Sequence, residues 1–433
     1  MCKEAHINWY LSQWSQVSMG GLPILRRKMR TAPRRLAMAG LFMLNAIWAM
    51  PAVVFIRVAR PWMHVRMGIL DSSRIGHFVA DASIFLARRS LRSQDERVID
   101  LFWFSRQTCN EQWARMVRRK LLVRWWVRYL AFFNKLIPGG ASHYLAEPTL
   151  TVNMGIYGIL CRTTARFEFT LEEEEAAKAW LRRRGWQDGE QFACLAVRDS
   201  AYLSSHPLHS NGGDDRWSYH NYRDSDIDAY LEAVQALLDK GYWVIRMGKV
   251  AHKRFPLRHQ RIIDYPFLED QDDLIDIWLS ANCRFLVSTG TGIGTVSFSY
   301  GRCVVYVNAL PLNLILSPTN HIWVPKHLRW EGNDHLLTLK EHCRHGYFHT
   351  MEYERAGITI EDLSPTEITV AVLECEQRVA GTWVETGEDR DRQRQFWETL
   401  QNWPDFHKFH DYIHPEARVG CAWLKSMGDA FLE

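Results

Sequence analysis

The chain has 433 residues, 47% hydrophobic and 24% charged, with a net charge of +4. That balance excludes a disordered chain, and the length suits two or three domains with apolar cores. Nine cysteines at irregular spacings, with no CxxC pair, exclude a disulfide framework and a zinc site of the usual spacing, and fit buried thiols in a reducing compartment.

The small net charge hides an asymmetry. Residues 1–140 hold 23 Lys/Arg against 7 Asp/Glu (+16), and the remainder holds 30 against 42 (−12). A basic first third implies an anionic partner: lipid, a phosphorylated acceptor or nucleic acid. Many of the 19 Trp stand beside arginines in this third, which suits a protein interior or a membrane interface.

Residues 1–60 are expected to be a basic segment followed by a hydrophobic helix. Arg26, Arg27, Lys28, Arg30, Arg34 and Arg35 precede 21 uncharged residues, Leu36 to Ile56, and Arg57, Arg60 and Arg66 follow them. The run is long enough to span a bilayer. Asn45 and Pro51 interrupt it, and basic residues on both sides give no orientation. Three readings stand: a membrane-associated or re-entrant helix, a buried helix, or a true span.

Residues 61–185 predict a first α/β domain. Trp62–Leu70 reads as a strand, Asp71–His77 as a small-residue loop, Phe78–Arg89 as a helix and Val98–Phe104 as a second strand. Glu111–Leu136 holds one or two helices. Within it, Arg118 to Phe133 is basic, apolar and aromatic; it lies at a membrane surface, or packs as core with its arginines reaching outward. Glu172–Arg184 is a charged helix with a cap-like Thr170.

Residues 186–375 alternate strand and helix. Strands are expected at Phe192–Val197, Tyr242–Met247, Arg261–Asp264, Phe285–Val287 and Cys303–Val307, and helices at Ser225–Lys240, Asp272–Asn282 and Ile293–Tyr300. Alternation of this kind means a parallel sheet covered on both faces. Residues 376–433 read as a helical tail.

The run Ser288-Thr289-Gly290-Thr291-Gly292 between a strand and a helix has the layout of a phosphate-binding loop, in which glycines admit an anion close to backbone N–H groups. Other strands of this domain end in Arg198-Asp199, with Tyr202 close behind, and in Arg246, Gly248 and Lys249. Strand ends of a parallel sheet share one edge, so Arg198, Arg246 and Lys249 can converge on the loop as a diphosphate clamp without a metal. The alternative is that these cations pair with Asp199, Asp226 or Asp264. His77 and Asp199 are the candidate bases; His77 has the suitable pKa, if the two domains face each other, and the alternatives are an exposed, idle loop histidine and an Asp199 that orients another group or pairs with Arg223. His342, Cys343, His345 and His349 match no usual zinc spacing, and no metal is expected.

Several of these stretches resemble a family of bacterial glycosyltransferases known mostly as sequences. They are Val197-Arg198-Asp199-Ser200-Ala201-Tyr202-Leu203, Tyr222-Arg223-Asp224-Ser225-Asp226-Ile227, Gly241 to Val250 and Ser288 to Gly292, with Arg74-Ile75-Gly76-His77-Phe78 and His414 to Gly420 at the two ends. The resemblance covers roughly residues 60 to 430. It implies two Rossmann-like domains facing across a cleft (the GT-B architecture), with a nucleotide-sugar donor held by the second and Arg74 and Gly76 on the acceptor side. A fainter likeness is to fucosyltransferases of the same architecture, whose strand-end motif has a His before Val-Arg where this chain has Ala196.

The expected function is sugar transfer from a nucleotide sugar to a lipid-linked or cell-surface polysaccharide acceptor. The enzyme would be cytoplasmic, peripheral or monotopic at the anionic surface of the inner membrane, without a cofactor. A nucleic-acid-binding protein and a catalytically idle scaffold are the competing classes. The first lacks a recognised motif, and its basic segments interleave with long apolar runs.

Overall fold

The computed structural model describes residues 37, 40–93, 97–105, 107–147, 156–199, 222–332, 335–410 and 412–433. Two compact units emerge. The first contains described residues up to 68, with 97–103 and 124–145; the second contains 69–96, 104–123 and the remainder.

Helix α1 (Gly40–Val58) and strand β1 (His64–Leu70) open the described chain. Helix α2 (Ile75–Ser90), strand β2 (Val98–Phe104) and helix α3 (Glu111–Lys120) follow. Strand β3 (Leu122–Val123), helix α4 (Val127–Leu136) and strand β4 (Tyr144–Leu145) come next. The first sheet has the order β3-β2-β1-β4, with Met67 opposite Tyr144 in a parallel pair. The stretch from 111 to 136 is thus two helices, separated by the β3 strand.

In the first unit, α1 buries Ala49, Val53 and Ile56 against Val65, Met67, Val127, Tyr129 and Leu130. Phe42, Ala46 and Ala52 pack partly into the same cluster, so one stripe at helical spacing docks α1 over nearly its whole length. The Arg57 side chain donates to the carbonyls of Asn134 (2.8 Å), Ile137 (2.9 Å) and Pro138 (2.6 Å). A cation on the last carbonyls of α4 is where the helix dipole favours it.

The second unit is built on a parallel sheet. Helix α5 (Leu171–Arg182) starts at the Thr170/Glu173 capping box. Helix α6 (Leu231–Asp239) lies between strands β5 (Phe192–Ala196) and β6 (Trp243–Arg246), and helix α7 (Asp273–Asn282) follows strand β7 (Ile262–Asp264). Then come β8 (Phe285–Ser288), helix α8 (Gly294–Ser299), β9 (Cys303–Val307) and β10 (Ile322–Val324). An antiparallel pair, β11 (His327–Trp330) and β12 (Ile358–Glu361), precedes helices α9 (Pro365–Ala380) and α10 (Gly387–Gln401). The last strand is β13 (Arg418–Val419).

The seven-stranded sheet has the order β13-β10-β9-β8-β5-β6-β7, and all its pairs are parallel. Every residue of β5, β6, β8 and β9 is buried, which is why Phe192–Ala196, Trp243–Ile245, Phe285–Val287 and Cys303–Val307 read as unbroken apolar runs. Residues 376–433, expected as a helical tail, also supply the edge strand β13. Two residues are too short to leave an apolar period, so the sequence pattern could not show it.

Strand order fixes the place of the site. From β5 the chain builds outward through β6 to β7, then returns to lay β8 on the other side of β5 and builds outward the opposite way. The reversal falls between β5 and β8, and open parallel sheets bind ligands at the carboxyl ends of strands where the order reverses.

Candidate functional site

The pairing of Ala196 with Ser288 puts the ends of β5 and β8 side by side. Thr289 stitches the loops that follow: its N–H donates to the Ala196 carbonyl (3.3 Å), and its Oγ1 accepts from the Arg198 N–H (2.9 Å). The Ser288 hydroxyl accepts from the N–H groups of Gly290 (3.1 Å) and Thr291 (3.2 Å). Two amides expected to face an anion therefore already have an acceptor within the loop. Gly290 sits at φ +79°, a left-handed conformation that glycine adopts at little cost.

The cation at this loop is Arg223. Its Nη2 donates to the Gly290 carbonyl at 2.6 Å, and among the described residues it forms no ion pair. Burial lowers its pKa from the ordinary guanidinium value, and the charge of Arg198 lowers it further. Arg198 is paired through Nε with Asp224 at 3.1 Å. Burial raises the Asp224 pKa while the Arg198 charge opposes that shift. Two guanidiniums share this edge at a mutual electrostatic cost that a bound anion would relieve. In the sequence Arg223 stands within the Tyr222–Ile227 motif and as an alternative partner of Asp199, not among the donor-binding residues; the motif is the signal.

Arg198, Arg246 and Lys249 each have a carboxylate partner. Arg246 is buried, donates to the Lys253 carbonyl (2.5 Å), and faces Asp264 at 3.4 Å and Asp199 at 3.9 Å. Its strand, β6, lies beyond β5 from β8, and a guanidinium buried there needs carboxylates to offset its desolvation. Lys249 pairs with Asp273 (2.8 Å) and Asp276 (3.7 Å) and donates to the Cys109 carbonyl (3.3 Å). Asp199 accepts from the His252 N–H at 3.1 Å, so the structure places it beside Arg246, as an orienter of that strand end. Gly248 takes φ +138° in the bend between Arg246 and Lys249. Tyr202 lies outside the described residues.

The first turn of α2 meets the loop directly. A Cβ added to Gly76 would lie 3.1 Å from the Gly292 Cα, and one added to Gly292 would lie 3.1 Å from the Gly76 nitrogen. Backbone approaches backbone here, and a side chain at either position would sit tighter than ordinary van der Waals contact. Arg74 is the N-cap residue of this 16-residue helix and makes no side-chain cap hydrogen bond. His77 follows in the same turn. Burial lowers its pKa, against the opposing charge of Asp71, so the imidazole is neutral at pH 7. The Asp71 carboxylate accepts from the Ser73 N–H (3.1 Å), the Ser73 hydroxyl (2.7 Å) and the Ser105 hydroxyl (3.0 Å), bonds that hold it ionised. The structure thus brings Gly76 to the Ser288–Gly292 loop, and His77 is the next residue of the same turn. Gly292→Ala should cost about 1–3 kcal/mol through overpacking, read as a lower denaturant midpoint. An unchanged midpoint would mean the two loops separate without cost.

No protein-family model matches the chain, and no curated protein matches it. Among solved structures it is similar to a glycosyl transferase family 9 protein from Veillonella parvula, at 10% identity and a TM-score of 0.38, over 61% of this chain and 86% of that one. It is also similar to the E. coli ADP-heptose LPS heptosyltransferase II (12% identity, TM-score 0.33, 57% of this chain and 86% of that one). A third is the E. coli heptosyltransferase WaaC with ADP-2-deoxy-2-fluoro heptose (12%, TM-score 0.30, 62% and 95%). Likeness at these scores transfers no function to this chain.

Proposed function

We propose that the chain is a metal-independent glycosyltransferase of GT-B type that moves a hexosyl or deoxyhexosyl group from a nucleotide sugar to a lipid-linked or cell-surface polysaccharide acceptor. The observation that carries this reading is Arg223 on the Gly290 carbonyl, beside Arg198, at the strand-order reversal. Guanidiniums at such an edge suit the diphosphate of a donor, and they offset the negative charge that grows on the leaving nucleoside diphosphate. The stretches that resemble bacterial glycosyltransferases, Val197–Leu203, Tyr222–Ile227 and Ser288–Gly292 among them, support the same class.

In the transfer step the bond from the anomeric carbon to the phosphate oxygen breaks and one to an acceptor hydroxyl oxygen forms. That hydroxyl's proton goes to a ring nitrogen of neutral His77. The negative charge of Asp71 favours the imidazolium that results.

A melting-temperature screen against nucleotide sugars tests the reading. One donor should stabilise the protein, its nucleoside diphosphate should compete, and the free sugar should not. Stabilisation by no nucleotide sugar and no nucleoside diphosphate would sink it. With the donor in hand, transfer should persist in EDTA, and His77→Ala should lower turnover while sparing donor binding. EDTA inhibition reversed by manganese would place a metal in the reaction.

A further inference from the structure

Helix α1 carries two apolar faces, and the first unit uses one. Its buried stripe is satisfied inside that unit, yet only 11% of its most apolar window is buried. On the other face Met43, Leu44, Ile47, Val54, Phe55 and Val58 are 52–78% exposed. The Phe42 ring lies 4.7 Å from that of Phe132 on α4, itself exposed, so the apolar surface continues from α1 onto α4. Exposed Trp62 and Trp125 lie in the same unit. A contiguous face of this size marks an interaction site.

Charge decides what it meets. Among its described residues the first unit has seven Lys/Arg (Arg57, Arg60, Arg66, Arg97, Arg124, Arg128, Lys135) and one carboxylate, Asp100, which is ion-paired with Arg66 at 2.8 Å. Arg60, Arg124, Arg128 and Lys135 are exposed. Two copies of such a surface repel each other, whereas an anionic bilayer offers hydrocarbon for the apolar face, an interface for Trp and negative headgroups for the cations.

Packing decides the orientation. The stripe from Phe42 to Ile56 fastens α1 lengthwise to a folded unit that holds Arg57, Arg66 and Asp100. A transmembrane α1 would drag these groups into hydrocarbon, which the bilayer penalises heavily. We propose that α1 lies in the plane of an anionic membrane, its Met43–Val58 face sunk among the lipid chains and its other face clasped by the first unit. The three sequence readings of this run thereby reduce to one, and the proposal stands independently of the donor site.

Flotation of the full chain with phosphatidylcholine vesicles, with and without phosphatidylglycerol, tests it. The protein should float with the anionic vesicles, and less so in high salt, since exposed charges are screened within about 8–10 Å. Ile47→Glu with Phe55→Glu should weaken binding by more than about tenfold at an unchanged melting temperature. A fluorophore at Met43→Cys or Phe55→Cys, with Cys2 and Cys161 replaced by Ser, should be quenched equally by shallow lipid quenchers. Failure of the full chain to float would overturn the proposal, as would salt-independent binding to neutral vesicles, or a double variant that floats like the parent. A gradient of depth between positions 43 and 55 would make α1 a span. Self-association in sedimentation velocity without vesicle binding would assign the face to a second copy.

Discussion

Arg223→Ala should weaken binding of the donor's nucleoside diphosphate by roughly ten- to a hundredfold, the loss of one charged hydrogen bond of about 1.5–3 kcal/mol. The fold should not suffer. Burial and the Arg198 charge already press on this guanidinium, which offsets the loss of its bond to the Gly290 carbonyl. The melting temperature of the ligand-free variant should therefore stay level. Arg223→Lys should recover binding only in part, because an ammonium keeps the charge and loses the planar fork. Parent affinity in folded Arg223→Ala would remove this residue from the donor site.

Arg246→Ala should do the opposite. Its side chain is 4% exposed, and Asp264 and Asp199 both face it. Truncation strands those carboxylates beside apolar strands. Breaking a fully buried pair costs about 3–5 kcal/mol; with Asp264 and Asp199 partly open to solvent, roughly 2–3 is expected, as a lower denaturant midpoint. Donor affinity in the remaining folded protein should stay near that of the parent. If the midpoint held and donor binding disappeared, Arg246 would return to the anion site. The two variants therefore separate a guanidinium poised for a ligand from one built into the sheet.

The alternation of the second unit was legible because each central strand is buried on both faces and α6 shows a one-sided apolar stripe. Val98–Phe104 and Cys303–Val307 were delimited to the residue, and Phe285–Val287 ends one residue short of β8. The Ser288–Gly292 loop was legible through its glycines. Its cations were not, since composition shows that Arg246 and Arg223 both follow apolar or aromatic residues and cannot show which meets a carboxylate. Buried Arg246 needs Asp264, on a neighbouring strand whose register is a tertiary fact. Arg57 looked like a charge flanking a membrane segment, and the fold spends it on the end of α4. The β11/β12 pair was missed because its strands are separated by 27 residues containing two short helices.

β13 has a further consequence, for the order in which the protein can assemble. It pairs with β10 across nearly a hundred residues of chain, Ile322 with Arg418. While a ribosome is still delivering the intervening segment, β8, β9 and β10 can align, but the outer rim of β10 presents unpaired amides and carbonyls. Such a rim invites strands from neighbouring nascent chains. Chains cut short before Arg418 should thus lose solubility sooner than they lose the parallel core, and a chaperone that shields strand edges would act on this protein late in synthesis.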